Sequence, residues 1–401
     1  MIDKKSSNQL DAIRSLSLDR LDFLVRRFER LFSFLVPVLA VLAAMALISV
    51  LIYALGENPL KAYKALAVGS FGTVYDFANS LNRAAPLILV GLGVAIAFRG
   101  GVFNIGGEGQ IMMGGITATI VAVYITGLPI YIHIPLTLLA GFIGGAIWGF
   151  IPGYFYAKHG TNLIITTIML NDIALGILST LVKGPMVEPP GYYPQTPLVQ
   201  PSSILPLIWP GTRLHAGLVL AVLAAFAFYI ILFKTPFGYE IRTVGENQTA
   251  AKHAGINVFK NQIMLMLISG GLGGLAGTVE IIGAQYRLRA LFLPNYGYEA
   301  LAVAILAQRN PLGVIISGLL FGALKAGAGS MQRATNLPMS LIAILSGVII
   351  LFVIASGILM GLPRYMAKKR LAKMEETDGS PTNKSWLRNI FLKKEPGKDY
   401  E

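Results

Sequence analysis

Residues 87–123 read LILVGLGVAIAFRGGVFNIGGEGQIMMGGITATIVAV, with a glycine-rich polar segment between two apolar runs. The central part, Phe98–Gln110, contains Asn104, Glu108 and Gln110 among its glycines. Backbone outside a regular helix is tolerated at membrane depth only where protein or a water-filled cavity satisfies its amides. Two interpretations remain. The segment is either a hinge beside a solute pathway, or a cytoplasmic turn whose polar side chains cap helices.

The chain as a whole is apolar, because 54% of its residues are hydrophobic and only 13% are charged. Apolar runs recur along almost its whole length, which predicts an all-α, polytopic transmembrane helical bundle of about ten spans. The predicted spans are 33–55, 85–98, 109–127, 133–156, 162–182, 215–233, 260–283, 296–308, 312–330 and 338–361.

Two of these runs, 85–98 and 296–308, are shorter than the roughly 20 residues that a spanning helix needs. They contain the similar sequences LGVAIAFRGG and LAVAILAQRNP, about half a chain apart. Short or broken segments at matching positions of two halves often mark a transport pathway. We therefore expect two related halves with short broken or re-entrant segments, although chance similarity of apolar runs remains the alternative.

The net charge of +13 arises mostly from two basic clusters that flank the membrane domain 33–362. Basic residues beside spans mark the cytoplasmic side, so both termini are expected there, and nucleic acid is not an expected partner. The leader, 1–32, is expected to be an amphipathic helix on the bilayer surface. The tail, 363–401, is basic and polar. The clusters consist of Lys4, Lys5, Arg14, Arg20, Arg26, Arg27, Arg30, Arg364, Lys368, Lys369, Arg370 and Lys373.

Two predicted loops differ in character. The proline-rich loop 183–214 faces outward in this topology, where it is either a lip that receives a partner or a stiff connector. The loop 234–259 faces the cytoplasm, and its Gly245–Gly255 part predicts a short helix that Gly255 terminates. A small-residue helix exposed between two spans is well shaped to dock into a groove of another protein.

Asn171 and Asp172 fall near the middle of the predicted span 162–182. An ionised Asp at the centre of a spanning helix costs about 2.5–3.5 kcal/mol, so it is expected to face a cavity or a partner. The pair therefore either lines the translocation pathway or joins helices together by hydrogen bonds.

The sequence contains no motif for ATP binding, metal binding or catalysis. No phosphate-binding loop of the form G-x-x-x-x-G-K-[ST] is present, so the chain is not expected to bind ATP itself. Cysteine is absent, and the four histidines have no metal-ligand spacing. We therefore expect neither an enzyme nor a metal site, and no cofactor in this chain.

Two motifs, GGVFNIGGEGQIMMGG and GENQTAAKHAGI followed by SGGLGGLAG, resemble the permeases of the ribose/branched-chain amino-acid ABC importer superfamily. The form FNIGGEGQ, with GYYPQTP in the outer loop, is most similar to the nucleoside importers of the basic-membrane-protein type. The resemblance covers roughly residues 35 to 362. It implies a permease subunit of an ABC importer in a bacterial plasma membrane, which carries a small polar solute, with nucleosides as the leading candidate.

The same resemblance implies three protein partners: a cytoplasmic ATPase that holds ATP and Mg²⁺, a second permease subunit, and an extracytoplasmic binding lipoprotein or periplasmic protein. It implies that the segment from Gly245 to Ile256 contacts the ATPase. The implied contact residues are Gly245, Asn247, Ala250, Ala251, Ala254 and Gly255. The candidate pathway residues are Asn104, Glu108, Gln110, Asn171 and Asp172. Asp172 departs from the family pattern, where an uncharged residue is expected after Asn171.

Two other functions remain as alternatives. One is an ABC permease for simple sugars. The other, from a different class, is a secondary transporter in which Asp172 or Glu108 relays protons or sodium ions.

Overall fold

The computed structural model describes residues 42–335 continuously, together with positions 39, 344, 347, 348, 351, 352 and 355. The predicted leader and tail lie outside the described residues, as does most of the predicted last span. Residues 49–346 form one compact unit, which contains every element from the second helix onward. Residues 1–48 and 347–401 are assigned to another unit, of which few positions are described.

The described residues form helices, one short 3₁₀ turn, one π turn and two isolated β-bridges, without a strand. The helices are α1 (Leu42–Ala54), α2 (Pro59–Phe71), α3 (Val74–Arg99), α4 (Gly107–Tyr124), α5 (Ile130–His159), α6 (Leu163–Lys183), α7 (Gly217–Lys234), α8 (Pro236–Glu246), α9 (Gln248–His253), α10 (Val258–Glu280), α11 (Tyr296–Leu306) and α12 (Pro311–Thr335).

Six of these helices are long and apolar enough to cross a membrane: α3, α5, α6, α7, α12, and α10 together with its π turn. Two shorter apolar helices are α1 and α11. The prediction of an all-α polytopic bundle is therefore confirmed. α11 is short, as its sequence predicts.

The prediction of a short run at 85–98 is wrong. α3 contains 26 residues and extends back to Val74, where the Thr73 side chain caps it by accepting a hydrogen bond from the Asp76 amide. The added turns carry Asn79, Asn82 and Arg83, so a search for apolar runs misses them. α2 was not predicted for a related reason: its sequence mixes apolar and polar residues.

Glycines allow α4, α5 and α10 to pack closely. A Cβ at Gly145 of α5 would collide with the Gly270 carbonyl of α10, and one at Gly274 would collide with the Gly141 carbonyl. A Cβ at Gly114 of α4 would also collide with Gly274. Small residues bring helix backbones together in membranes, where hydrophobic association is weak. The glycine face of α5 is thus a packing surface.

The two ends of the bundle are distinct. At one end Gly245 of α8 lies against the Arg99 carbonyl at the end of α3, and α9 precedes α10. α10 then rises by about 33 Å along 22 residue steps to Glu280. At that opposite end, residues 184–216 cover the segment that follows α10, as the hydrogen bond from the Leu205 amide to the Ile282 carbonyl shows.

Candidate functional site

The glycine-rich segment between α3 and α4 is buried and closed by its own hydrogen bonds. The Asn104 side chain is fully buried; its Nδ2 donates to Oε1 of Gln110 (3.0 Å) and to Oγ of Ser269 (2.8 Å). Its Oδ1 accepts from the Gly106 amide at 2.9 Å. Asn104 and Gln110 therefore satisfy backbone and side-chain groups that would otherwise be buried without partners.

This segment lies beside the middle of two long helices rather than at the end of the bundle. Gly107 is placed against Val90, nine residues before the end of α3, and Ser269 is eleven residues into α10. The chain thus turns back after Arg99, and α4 begins midway along its neighbours. A simple turn at the cytoplasmic end does not describe this geometry. It is a re-entrant segment whose amides are satisfied by protein.

Glu108 joins this segment to the start of α11. Its two carboxylate oxygens accept hydrogen bonds from the amides of Asn295 (2.9 Å) and Gly297 (2.8 Å). The N-termini of α4 and α11 meet there, because a Cβ at Gly297 would collide with the Glu108 backbone. A carboxylate between two helix N-termini is stabilised by free amides and by both helix dipoles. Glu108 thus acts as a cap for a helix distant in sequence.

Asn171 and Asp172 point in different directions. Asn171 is buried, accepts from the Gly109 amide at 2.9 Å and donates to the Ile105 carbonyl at 3.2 Å. Asp172 is exposed on the outer face of α6. The structure therefore brings Asn104, Glu108, Gln110 and Asn171 into one cluster and leaves Asp172 outside it.

The proline-rich segment 184–216 folds onto the residues that follow α10. The Thr196 and Val199 amides donate to the Leu288 and Tyr286 carbonyls, and Arg287 forms an ion pair with Glu188 at 2.6 Å. His215 lies fully buried beneath it, and burial lowers its pKa to about 4. The segment is thus a fixed cover on this end of the bundle.

The predicted docking helix differs from the expectation in where it begins and in which of its residues are exposed. Gly245 belongs to α8, and the Asn247 side chain begins α9 by accepting from the amides of Thr249 and Ala250. Ala251 is fully buried against Val244 and Val258. Gly245 and Ala251 are therefore engaged in internal packing. Of the six predicted contact residues, the exposed ones are Asn247, Ala250, Ala254 and Gly255.

Sequence reasoning missed a polar cavity of about 310 Å³ at the covered end of the bundle. Its walls come from the first turns of α3, the end of α10 and the start of α11. The available signal was the charge of Glu280 inside the predicted span 260–283. The lining residues are Tyr75, Asn79, Asn82, Arg83, Arg213, Glu280, Gly283, Ala284, Gln285, Tyr286 and Tyr296.

A second missed feature is a charged pair beside this cavity. Lys325 of α12 donates to Oε1 of Glu299 at 2.7 Å and lies 4.1 Å from the ring centroid of Tyr296. The pair connects α11 to α12 in the bundle interior. Among the residues that the structure describes, no group of three metal-ligating side chains is close enough to hold an ion.

These features define a multi-pass helical membrane protein with re-entrant segments and a polar cavity. Residues 77–354 match the family described as the permease component of the branched-chain amino acid transport system. The chain belongs to this family and is a membrane-spanning permease subunit of an ABC importer, as the motifs predicted.

Individual relatives match most of the chain. The glucose ABC transporter permease protein TsgB13 of Haloferax volcanii is 37% identical, over 80% of this chain and 87% of the relative. The guanosine ABC transporter permease protein NupP of Bacillus subtilis is 36% identical, over 82% and 95%. The nucleoside ABC transporter permease protein NupB of Lactococcus lactis is 32% identical, over 84% and 94%. No solved structure matches.

Family membership implies an ATPase partner and a substrate-binding protein. It also places the chain among ABC permeases rather than among ion-gradient-driven transporters.

Proposed function

We propose that this permease imports nucleosides across a bacterial plasma membrane, with both of its termini in the cytoplasm. A partner ATPase binds ATP and Mg²⁺, a second permease subunit completes the pathway, and a lipoprotein or periplasmic protein delivers the solute. The observation that carries the proposal is the arrangement of α9 and the polar cavity at opposite ends of α10. Relatives named for guanosine and for nucleosides support the choice of solute.

α9 is the proposed contact with the ATPase. Its exposed residues Ala250 and Ala254 offer small side chains, while Ala251 anchors the helix to the bundle. Because Gly245 lies against the Arg99 carbonyl, a displacement of α8 and α9 moves the end of α3 and the start of the re-entrant segment. This contact is the proposed route from ATP binding to the solute pathway.

Ala250→Arg tests this assignment in the importer reconstituted with its partner subunits. The added side chain extends from the exposed face of α9, so we expect solute-stimulated ATP hydrolysis to be lost while the permease stays folded. His159→Arg is the matched control, because His159 is exposed at the same end of the bundle. Normal stimulation in the Ala250→Arg protein would show that α9 is not the contact. Ala251→Arg is a poor test because that side chain is buried.

The outer face of α6 is the proposed wall of the translocation pathway, shared with the second permease. Asp172 is exposed nine residues into this helix, near its middle. A carboxylate at this depth is costly in lipid, so water or a partner subunit is expected to cover it. The buried cluster of Asn104, Glu108, Gln110 and Asn171 supports this face from behind, through the bonds from Asn171 to Ile105 and Gly109.

Labelling of single cysteines tests the α6 face without background, because the chain contains no cysteine. A membrane-impermeant maleimide is expected to react with Asp172→Cys in the assembled importer. Phe226→Cys is the control, since Phe226 is 50% exposed nine residues into the apolar helix α7. Equal protection of both positions would place Asp172 in lipid or in a dry interface.

Uptake separates nucleosides from simple sugars, which the glucose-named relative favours. Proteoliposomes that contain the complete importer are expected to accumulate guanosine when ATP is supplied, and glucose is not expected to compete. Uptake of glucose with no uptake of guanosine would replace the proposed solute.

A further inference from the structure

We infer that the cavity between α3, α10 and α11 is a solute-binding site within this single chain. It takes a ribonucleoside with a carbonyl-bearing base. This inference rests on the proposed nucleoside function and assigns a site to it. The cavity volume of about 310 Å³ lies at the lower end of the range of small-molecule pockets, about 300–1,000 Å³.

The backbone around the cavity is irregular. Residues Ile281–Gln285 form a π turn, and Tyr286 follows it with a φ of 58°. Leu293 and Asn295 also have positive φ values, 48° and 67°. π turns and left-handed residues other than glycine concentrate at functional sites, because they persist only where the surroundings hold them. Here the cover segment holds the π turn and Tyr286, through the Leu205 and Val199 amides, and Glu108 accepts from the Asn295 amide.

Glu280 supplies an acceptor that its own surroundings do not saturate. Its Oε1 accepts from Nε2 of Gln285 at 2.9 Å. No side chain or amide among the described residues donates to its Oε2, although Glu280 lines the cavity. A carboxylate is a common partner for the hydroxyl groups of a ribose. Glu280 is therefore assigned to the sugar.

A base with carbonyl oxygens needs hydrogen-bond donors. Arg83 and Asn79, on successive turns of α3, supply them. An arginine fork matches the carbonyl oxygen and ring nitrogen of guanine, and tyrosine rings such as Tyr75 and Tyr286 offer flat surfaces for a base. Two arginines against one glutamate also favour a base that has a carbonyl oxygen as acceptor.

The cavity lies at the covered end of the bundle, about 33 Å along α10 from α9. On an import route, a solute therefore reaches this cavity before it reaches the α6 face.

Protection of an introduced cysteine measures binding at this place directly. Ala284→Cys, at a lining residue to which no contact with the solute is assigned, is prepared in the complete importer, reconstituted in lipid nanodiscs, and its reaction rate with a water-soluble maleimide is followed. Guanosine is expected to slow the reaction, and 2′-deoxyguanosine is expected to act about tenfold less strongly. Tyr192→Cys, at a cover residue that is 84% exposed, is the control whose rate guanosine leaves unchanged.

Adding Glu280→Gln to the Ala284→Cys protein tests the role of the carboxylate. Apparent affinity for guanosine is expected to fall about tenfold, and the preference over 2′-deoxyguanosine is expected to disappear. A merely structural role would weaken both solutes equally, and that result would overturn the assignment. Absence of protection by guanosine in an importer that takes up guanosine would reject the cavity but leave the proposed function intact. Failure of guanosine uptake, with protection by glucose, would reject both.

Discussion

The re-entrant cluster around Asn104 and the cavity around Glu280 are both polar, and both lie among the same helices. They differ in whether their side-chain oxygens already accept hydrogen bonds from the protein. In the cluster, Asn104, Glu108 and Asn171 each use their side-chain oxygens on amides of the same chain. In the cavity, the Glu280 carboxylate has one internal partner. Polar residues in a membrane protein therefore separate into those that hold the backbone and those that remain available to a solute.

This difference has a physical basis. A buried donor or acceptor without a partner costs about 1–3 kcal/mol, so a fold keeps such a group only where a ligand, water or another subunit can satisfy it. Saturated groups should then affect stability when they are changed, whereas open groups should affect binding.

The largest expected effect is on stability, from Glu108→Ala. Two buried amides, those of Asn295 and Gly297, lose their acceptor, which predicts a loss of roughly 2–6 kcal/mol of unfolding free energy. Thermal unfolding in detergent measures this loss. Glu246→Ala, at an exposed position in α8, is the control. An unchanged melting temperature in Glu108→Ala would remove the distinction between the two regions.

The next effect depends on pH and concerns His215, beneath the cover segment. The folded protein binds a proton there only near pH 4, whereas the unfolded chain does so near pH 6.5. The contribution to stability is therefore complete above pH 6.5 and is lost as the pH falls to 4, by about 3 kcal/mol. Unfolding in detergent between pH 7 and 4 measures it. His159→Gln, at an exposed site, should leave the pH profile unchanged; the same profile in His215→Gln would contradict the prediction.

A smaller effect should separate the neighbours Asn171 and Asp172. Asn171→Ala removes the acceptor of the Gly109 amide and is expected to cost about 1–3 kcal/mol. Asp172→Ala changes an exposed side chain and is expected to alter the stability of the isolated permease by less than about 0.5 kcal/mol. Unfolding of the two variants side by side measures the contrast. Equal losses would mean that Asp172 also holds the fold.

A small effect on stability is also expected of Glu280→Gln. The amide keeps the size of the side chain and an oxygen that accepts from Gln285, so the change should stay below about 1 kcal/mol. The same unfolding assay measures it. A loss as large as that of Glu108→Ala would place Glu280 among the saturated groups.

Much of the fold was accessible from sequence, because hydrocarbon length sets the length of an apolar helix. α5, α6, α7 and α10 begin and end within a few residues of their predicted spans. α3 was predicted at half its length, since its first turns carry the polar residues that line the cavity. The first turns of α3, which line the cavity, are thus the part of this helix that a hydropathy pattern does not detect.

The candidate site was predicted in part. The motif around Asn104 was identified, but its partners Ser269, Gly297 and Asn171 are distant in sequence, and spacing alone does not reveal them. The short helix proposed for docking was predicted too, while its periodicity left open which alanine faces inward. Helix α9 has only six residues, so small differences in its start decide that question.

The sequence alone determined that the chain is a multi-pass helical protein, that residues 98–110 interrupt the helices, and that its motifs are those of an ABC permease. The first two properties follow from composition and local order, because an apolar run of sufficient length forms a helix in lipid. The third rests on the resemblance of two motifs to a known family. Only the tertiary structure decided which polar groups form hydrogen bonds with one another and which remain available to a solute. Hydrogen-bond saturation depends on where residues far apart in the chain meet, as Glu108 and Gly297 do, and no local pattern records it.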